Sequence, residues 1–201
     1  MPRVHYRKAR KDYPANGISK GDMYYYTKMK TGPRSSRVMR SLTPFRGSQL
    51  TGSPFKSGFL AAQEAWEDDK TPDEHTIRAA AEAIRELAEA ANESYENMPE
   101  GLQEGDTGQM LYERSDQCES KADELDGLAD EYEGLEEPVE PDEVVEPDHD
   151  GEEGHEETDE YQAFLDYEAA RDEYESELAE YESEKERIVS EAADHMGDMP
   201  E

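Results

Sequence analysis

Four side chains near the start of the chain combine two chemistries that bind single-stranded nucleic acid. Tyr24, Tyr26, Lys28 and Lys30 alternate along the sequence, which places them on one face of a β-strand. Tyrosine rings stack on bases, whereas Lys and Arg neutralise phosphates. Further basic residues flank this strand, namely Arg7, Lys8, Arg10, Lys11, Arg34, Arg37 and Arg40. We predict that these side chains together form a surface for RNA or DNA.

Two other interpretations of the same residues stay open. The tyrosines would pack a small sheet while the cations keep it soluble, or the basic segment would dock on an acidic protein surface, including the acidic part of this same chain. The segment contains no RNP sequence, zinc finger or helix-turn-helix pattern that would read bases. The pattern therefore indicates contact with nucleic acid without indicating a sequence preference.

A small antiparallel sheet is the element that would position these residues. Residues 24–30 form the clearest strand, residues 37–41 are predicted to return beside it, and residues 4–6 are predicted to add a third strand. Turn-forming residues at 14–17 and 20–22 separate the predicted strand at residues 4–6 from the one at residues 24–30. Residues 44–56 are rich in Gly, Pro and Ser, so we predict a basic Tyr-rich β module with an extended connector over residues 1–56.

The 201 residues divide into two parts of opposite charge. Residues 1–60 hold 13 Lys and Arg against 2 Asp and Glu, and residues 61–201 hold 8 against 51, so the net charges are +11 and -43. Only 33% of the residues are hydrophobic, which predicts small modules and solvated segments instead of one large core. The charge split predicts that the two parts face different partners, or each other.

The sequence lacks the residue patterns of common enzymes. It has no Gly-rich phosphate loop, no G-x-S-x-G and no H-E-x-x-H, and its histidines form no zinc-spaced set with Cys118. We therefore expect a non-enzymatic protein that needs no metal or cofactor. The lone Cys118 has no partner for an internal disulfide, and no run approaches the ~18 apolar residues of a membrane helix. These features predict a soluble cytoplasmic protein that does not contact membranes.

The acidic part is predicted to be helical, which makes the fold class α+β, mostly α. Residues 57–134 are expected to form amphipathic helices, including a short one that carries Trp66 and an antiparallel helical hairpin at 72–134. Thr71 is the predicted N-cap of the first hairpin helix, and Asp106 or Thr107 that of the second. The predicted packing residues of the hairpin are Ile77, Ile84, Leu87, Leu111, Cys118, Leu125 and Tyr132.

The remaining residues divide into a linker and a long helix. Prolines among acidic residues predict a disordered linker over 135–158. A long acidic helix with a heptad pattern is predicted over 159–196, with an apolar stripe of Tyr167, Tyr174, Leu178, Tyr181 and Ile188. This stripe is expected to fold back on the hairpin or to pair with another chain, so a homo-oligomer stays open.

Several segments are similar in sequence to one group of viral proteins. Residues 7–14, 20–26, 48–55 and 96–108 resemble uncharacterised proteins of tailed bacteriophages, and the matches cover about the first two thirds of the chain. The resemblance implies a viral origin and a location in the host cell cytoplasm. It carries no activity that can be assigned to particular residues.

Three functions are compatible with these observations. In the first, a phage-encoded binding or inhibitor protein contacts nucleic acid, or a host protein of the nucleic-acid machinery, through its basic module, while its acidic helices contact protein. In the second, the acidic helices imitate nucleic acid and block a host nuclease, restriction enzyme or polymerase. In the third, the heptad helices form an oligomeric coiled coil or a virion-assembly component.

Overall fold

The computed structural model describes residues 2–30, 34–145 and 159–200, and its architecture is α+β, mostly α, as predicted. The three strands are β1 (Val4–Lys8), β2 (Met23–Lys30) and β3 (Ser36–Ser41). They form one antiparallel sheet in the order β1-β2-β3, so the Tyr-rich strand β2 lies at its centre. The predicted N-terminal sheet is therefore confirmed.

The β1–β2 connection, residues 9–22, folds over one end of this sheet. A short 3-10 helix, Pro14–Asn16, ends at Gly17, whose φ of +65° lies in the left-handed region that favours glycine. This turn pairs Tyr13 with Ile18 and returns the chain toward the sheet. Ile18 is buried together with Ala9 and Tyr24, which gives the sheet a small core of its own.

Five helices follow the sheet. They are α1 (Pro54–Asp68), α2 (Glu74–Glu96), α3 (Glu100–Gln103), α4 (Asp106–Glu133) and α5 (Asp159–Gly197). Helices α2 and α4 form the predicted antiparallel hairpin, because Arg78 near the start of α2 contacts Asp130 near the end of α4. The short α3 lies in the loop, where the Gln103 side chain donates to the carbonyls of Tyr95 and Met98 and so caps the end of α2.

Six of the seven predicted packing residues of the hairpin belong to a common core, and the seventh, Leu111, lies outside it. Ile77, Ile84, Cys118 and Leu125 are at most 1% exposed, and Leu87, Leu111 and Tyr132 are half-buried. Helix α1 adds its own side chains to this core, and Trp66 packs there with α2 rather than with the sheet. Alanines line much of the α2–α4 contact and allow the two backbones to approach: Ala80, Ala81, Ala88, Ala122 and Ala129.

Two helix starts differ from the prediction. The N-cap of α2 is Asp73 and not Thr71, because Asp73 has an extended backbone and its carboxylate accepts from the Thr76 amide at 3.0 Å. Helix α4 begins at Asp106 with Gly105 at the N-cap and no side-chain cap. The Asp106 carboxylate instead stabilises α4, because a negative charge at the N-terminus of a helix interacts favourably with the helix dipole.

The predicted connector belongs to the helical part. Ser48 donates from its amide and its hydroxyl to the Glu64 carboxylate of α1, at 3.0 and 2.6 Å, and Arg46 pairs with Asp68 at 2.6 Å. Ser53 is the N-cap of α1, which begins at Pro54, three residues before the predicted boundary at 57. The change from sheet to helical body therefore falls near residues 42–45.

Only the C-terminal half of α5 joins the helical core. Ile188, Ala192 and Met196 are buried, and Arg187 pairs with Glu131 at 3.0 Å, so α5 runs antiparallel to α4. The helix is about 58 Å long. Residues 159–180 contain no buried side chain among those described, and the predicted packing residues Tyr167, Tyr174 and Leu178 lie on this part. Tyr181, at its end, is half-buried.

The predicted linker is described only in part. Residues 135–145 contain neither helix nor strand, and their first residues run beside α5 near Tyr181. Residues 146–158, the rest of the predicted linker, lie outside the described residues.

Candidate nucleic-acid interface

The register of the sheet assigns the predicted basic and aromatic residues to two faces. His5, Tyr26 and Arg40 lie opposite one another across the three strands, as do Tyr6, Tyr25 and Ser41 one residue along. The cationic face carries His5, Arg7, Tyr24, Tyr26, Lys28, Lys30 and Arg40. The aromatic face carries Val4, Tyr6, Lys8, Met23, Tyr25, Thr27, Met29, Arg37 and Met39. Lys8 and Arg37 therefore lie on the face opposite to Lys28 and Lys30, and the predicted set is divided.

Tyr24 is a core residue of the sheet and not an open stacking platform. The β1–β2 connection covers it, so that only 1% of the residue is exposed, and the Tyr13 ring lies 5.6 Å from the Tyr24 ring between centroids. A base cannot reach a ring in this position. The alternation along β2 placed Tyr24 on the correct face, but it contained no information on how far the connection covers that face.

Three of the predicted cations, Arg7, Lys11 and Arg40, contact tyrosine rings on this side of the sheet. Arg7 Nε donates to the Tyr24 hydroxyl at 3.0 Å, and its guanidinium carbon lies 4.3 Å from the centroid of the Tyr26 ring. The Arg40 guanidinium carbon lies 4.4 Å from the centroid of the Tyr13 ring. These cation–π contacts hold the β1–β2 connection and the three strands together.

The Tyr24 hydroxyl is the polar centre of this cluster. Its burial by itself raises the pKa, but the hydrogen bond from Arg7, the charge of Arg7 and the polar groups of Tyr13 and Arg40 nearby outweigh burial and hold the pKa of Tyr24 below its usual value. The same hydrogen bond to Tyr24 raises the pKa of Arg7. Arg7 is therefore charged at neutral pH.

Tyr26 offers little free ring surface. The His5 imidazole stacks on it with centroids 4.8 Å apart and an interplanar angle of 18°, and Arg7 contacts the same ring. Beyond it on the cationic face, Lys28 and Lys30 are exposed. This face thus presents charge for phosphates and no open ring for a base.

The exposed ring of the sheet, Tyr6, lies on the opposite face beside the half-buried Tyr25. Tyr6 is 56% exposed and its ring lies 4.5 Å from that of Tyr25 between centroids, with an interplanar angle of 32°. Met23 and Val4 on the same face are 43% and 37% exposed. At the middle of the face the Thr27 hydroxyl is fully buried and donates to the Arg3 carbonyl at 3.1 Å.

Cations stand at both ends of the aromatic face. Lys8 is opposite Met23 at one end and Arg37 is opposite Met29 at the other, and both are exposed. Tyr6 and Tyr25 are not among the predicted contact residues, because an apolar strand face is usually a core face. The signal that could have found them is the position of the first helix, which begins only after a connector and leaves this face without a predicted cover.

The three strands and the loops between them form what we call the sheet module, described at residues 2–30 and 34–41. Its basic residues are not neutralised by carboxylates. Within residues 2–30 and 34–40, no Lys or Arg forms an ion pair with a carboxylate. The two acidic residues of this segment accept from backbone amides instead, Asp12 from Lys20 and Asp22 from Ser19. The other predicted contact residues, Arg10, Lys11 and Arg34, are exposed on the loops at the ends of the strands.

The helical part contrasts with the sheet module in its ion pairs. Arg78 bridges Glu74, Asp130 and Glu133, and Arg85 contacts Asp126 at 2.6 Å. Within the described part of the chain, no ion pair joins residues 2–30 or 34–40 to the acidic helices. The acidic helices therefore do not neutralise the basic residues of the sheet in this structure.

The described ranges contain neither a candidate metal site nor a candidate membrane-spanning helix. No three His, Cys, Asp or Glu side chains there come together as metal ligands would. None of the helices described has both the length and the apolar character needed to cross a bilayer.

Comparisons with known proteins found no matching family model, no matching curated protein and no matching solved structure.

Proposed function

We propose that the chain is a non-enzymatic binding protein whose N-terminal sheet binds single-stranded nucleic acid. One observation carries the proposal. A tyrosine pair on adjacent strands, the 56% exposed Tyr6 and the half-buried Tyr25, lies on a sheet whose basic side chains have no carboxylate partner among the described residues. Unpaired cations attract a polyanion, and a ring pair that is exposed at Tyr6 offers a surface on which bases stack.

The arrangement assigns different tasks to the two faces. Bases stack on Tyr6 and Tyr25, while Lys8 and Arg37 at the ends of the aromatic face contact the phosphates on either side. Lys28 and Lys30 contact phosphates where the bound nucleic-acid strand passes the edge of the sheet. Side chains of this kind recognise a π face and a phosphate rather than a base edge, so binding should be tolerant of sequence.

A titration of the full chain tests this proposal. Labelled oligo-uridylate and oligo-thymidylate of about 12 nucleotides are titrated at about 50 and 200 mM salt, with a duplex of equal length as the comparison. Saturable binding of the single strands that weakens steeply with salt supports the proposal. No binding at the lower salt concentration contradicts it.

The acidic helices support a second candidate function, contact with a basic protein surface. Residues 159–180 of α5 extend beyond the helical core and carry many more acidic than basic residues around the half-exposed rings of Tyr167 and Tyr174. The resemblance to tailed-phage proteins makes a host protein of the nucleic-acid machinery the proposed target. The same surface would serve a decoy that imitates nucleic acid.

Charge removal on α5 tests this second candidate. Glu168→Gln, Asp172→Asn and Glu173→Gln together should abolish co-purification of a host DNA-handling enzyme if carboxylates provide the contact. Retention of the enzyme by this variant would contradict the candidate. A mass several times that of the monomer by light scattering would support the oligomeric assembly instead.

A further inference from the structure

A cleft in the helical body combines an apolar wall with one unpaired cation. It lies where the N-terminus of α1 meets the later turns of α2 and the first turns of α4, and its volume is about 300 Å³. Phe55, Leu87, Ala91 and Leu111 form most of its wall, and Arg114 supplies the one charge among its lining residues. None of its lining residues belongs to the sheet, and the cleft takes no part in the proposed function.

Arg114 differs from every other arginine of the described helices. Arg78, Arg85, Arg171 and Arg187 each have a carboxylate within 4.0 Å, whereas Arg114 has none. Its Nε atom is buried and has no hydrogen-bond partner. Among the arginines of the described helices, Arg114 is therefore the one without a carboxylate partner.

The local sequence explains why Arg114 lacks a partner within the protein. The helix positions three and four residues away hold Met110, Leu111, Gln117 and Cys118, none of which carries a carboxylate. The facing turn of α2 presents small neutral residues at the cleft. The guanidinium lies over the Phe55 ring, whose centroid is 4.3 Å from the guanidinium carbon.

These surroundings favour one anion with an apolar body. A buried donor without a partner costs stability until an acceptor meets it, and a carboxylate is the acceptor whose geometry fits the guanidinium. The N-terminus of α1, which contributes Phe55 to the wall, adds a further favourable potential for negative charge. The apolar wall disfavours a strongly hydrated dianion such as phosphate.

We propose that this cleft binds a small apolar monocarboxylate, with the carboxylate on Arg114 and the hydrocarbon against Phe55, Leu87 and Leu111. The volume suits a chain of about eight carbons. Gly58 maintains the shape of the region, because a Cβ at this position would lie 2.5 Å from Leu87 Cδ2 and displace a side chain of the cleft wall.

Octanoate is the probe that tests the proposal on the full chain. We expect saturable shifts of the Leu87 and Leu111 methyl signals in NMR spectra, with a Kd between about 10 µM and 1 mM. Octanamide has the same hydrocarbon without the charge and should bind at least about tenfold more weakly. Equal affinity for octanoate and octanamide, or the absence of saturable shifts for octanoate, would overturn the proposal.

Variants locate the site and test the role of the charge. Arg114→Met should weaken octanoate binding at least about tenfold, whereas the matched variant Arg171→Met on α5 should leave it unchanged. Ala90→Leu keeps every charge and adds bulk at the cleft, so it should also weaken binding. If Arg114→Met fails to fold, Ala90→Leu still tests whether octanoate binds in this cleft. Undiminished binding by either cleft variant would overturn the proposal.

Discussion

The rings of Tyr6 and Tyr25 lie 4.5 Å apart between centroids on adjacent strands, and Tyr6 is 56% exposed. Tyr24, the residue just before Tyr25, points to the other side of the sheet and is 1% exposed. Neighbouring tyrosines of one strand thus perform opposite tasks. Tyr24 holds the sheet together, and Tyr25 with Tyr6 forms the surface that we propose for stacking.

Tyr24 should matter for stability rather than for binding. Tyr24→Ala removes a buried ring and should lower the free energy of unfolding of the sheet by about 3–5 kcal/mol, measured by hydrogen exchange of the β2 amides. Tyr24→Phe keeps the ring and loses the hydrogen bond with Arg7, so its cost should be about 1–2 kcal/mol with unchanged nucleic-acid affinity. Unchanged exchange in Tyr24→Ala would show that Tyr24 is not a core residue.

Lys28 and Lys30 should contribute through charge alone. Replacing both by Gln should reduce the slope of log Kobs against log salt by about 1.4, because each phosphate contact to a single strand contributes about 0.7. The measurement is a titration of labelled oligo-uridylate at several salt concentrations. Lys70→Gln, an exposed lysine of the α1–α2 loop, is the control and should leave the slope unchanged. An unchanged slope in the double variant would remove these lysines from the interface.

The two halves of α5 should differ in their effect on folding. Ile188→Ala leaves a cavity in the helical core and should cost about 2–5 kcal/mol in urea denaturation. Tyr174→Ala changes the half that lies outside this core and should cost about 0.5 kcal/mol or less. Equal losses in both variants would mean that residues 159–180 also pack against the folded body.

Cys118 should be unreactive in the folded protein. Burial raises the pKa of its thiol to about 11, so the thiolate that reacts with a disulfide reagent is scarce at pH 8, and the sulfur is fully buried. Dithionitrobenzoate should therefore label Cys118 only after unfolding. Rapid labelling of the native protein at pH 8 would contradict the packing of α4.

The helical hairpin could be predicted because its information is local. Ile77 and Ile84, like Cys118 and Leu125, recur every seven residues, so each pair lies on one face of its helix whatever the rest of the chain does. The exact helix starts could not be predicted as well. Thr71 and Asp73 are both good N-caps, and backbone geometry rather than residue type chose Asp73.

Alternation along β2 could not predict which face of the sheet is open to a ligand. Alternation fixes which residues share a face, but the cover over that face comes from the β1–β2 connection. Ala9, Tyr13 and Ile18 are the few apolar residues of this polar connection, and they are the signal that it packs on Tyr24. The cleft at Arg114 could not be predicted either, because it exists only where α1, α2 and α4 pack together.

The measurement that tests the central claim most directly is the affinity of the variant Tyr6→Ala with Tyr25→Ala for oligo-uridylate. The control is Tyr95→Ala with Tyr112→Ala, which removes another tyrosine pair, with centroids 5.9 Å apart, on the acidic helices. We predict that the first variant binds about 10- to 100-fold more weakly than the unaltered chain while its β2 amides stay protected, and that the control binds normally. Unchanged affinity of the first variant, or an equal loss in the control, would contradict the proposed interface.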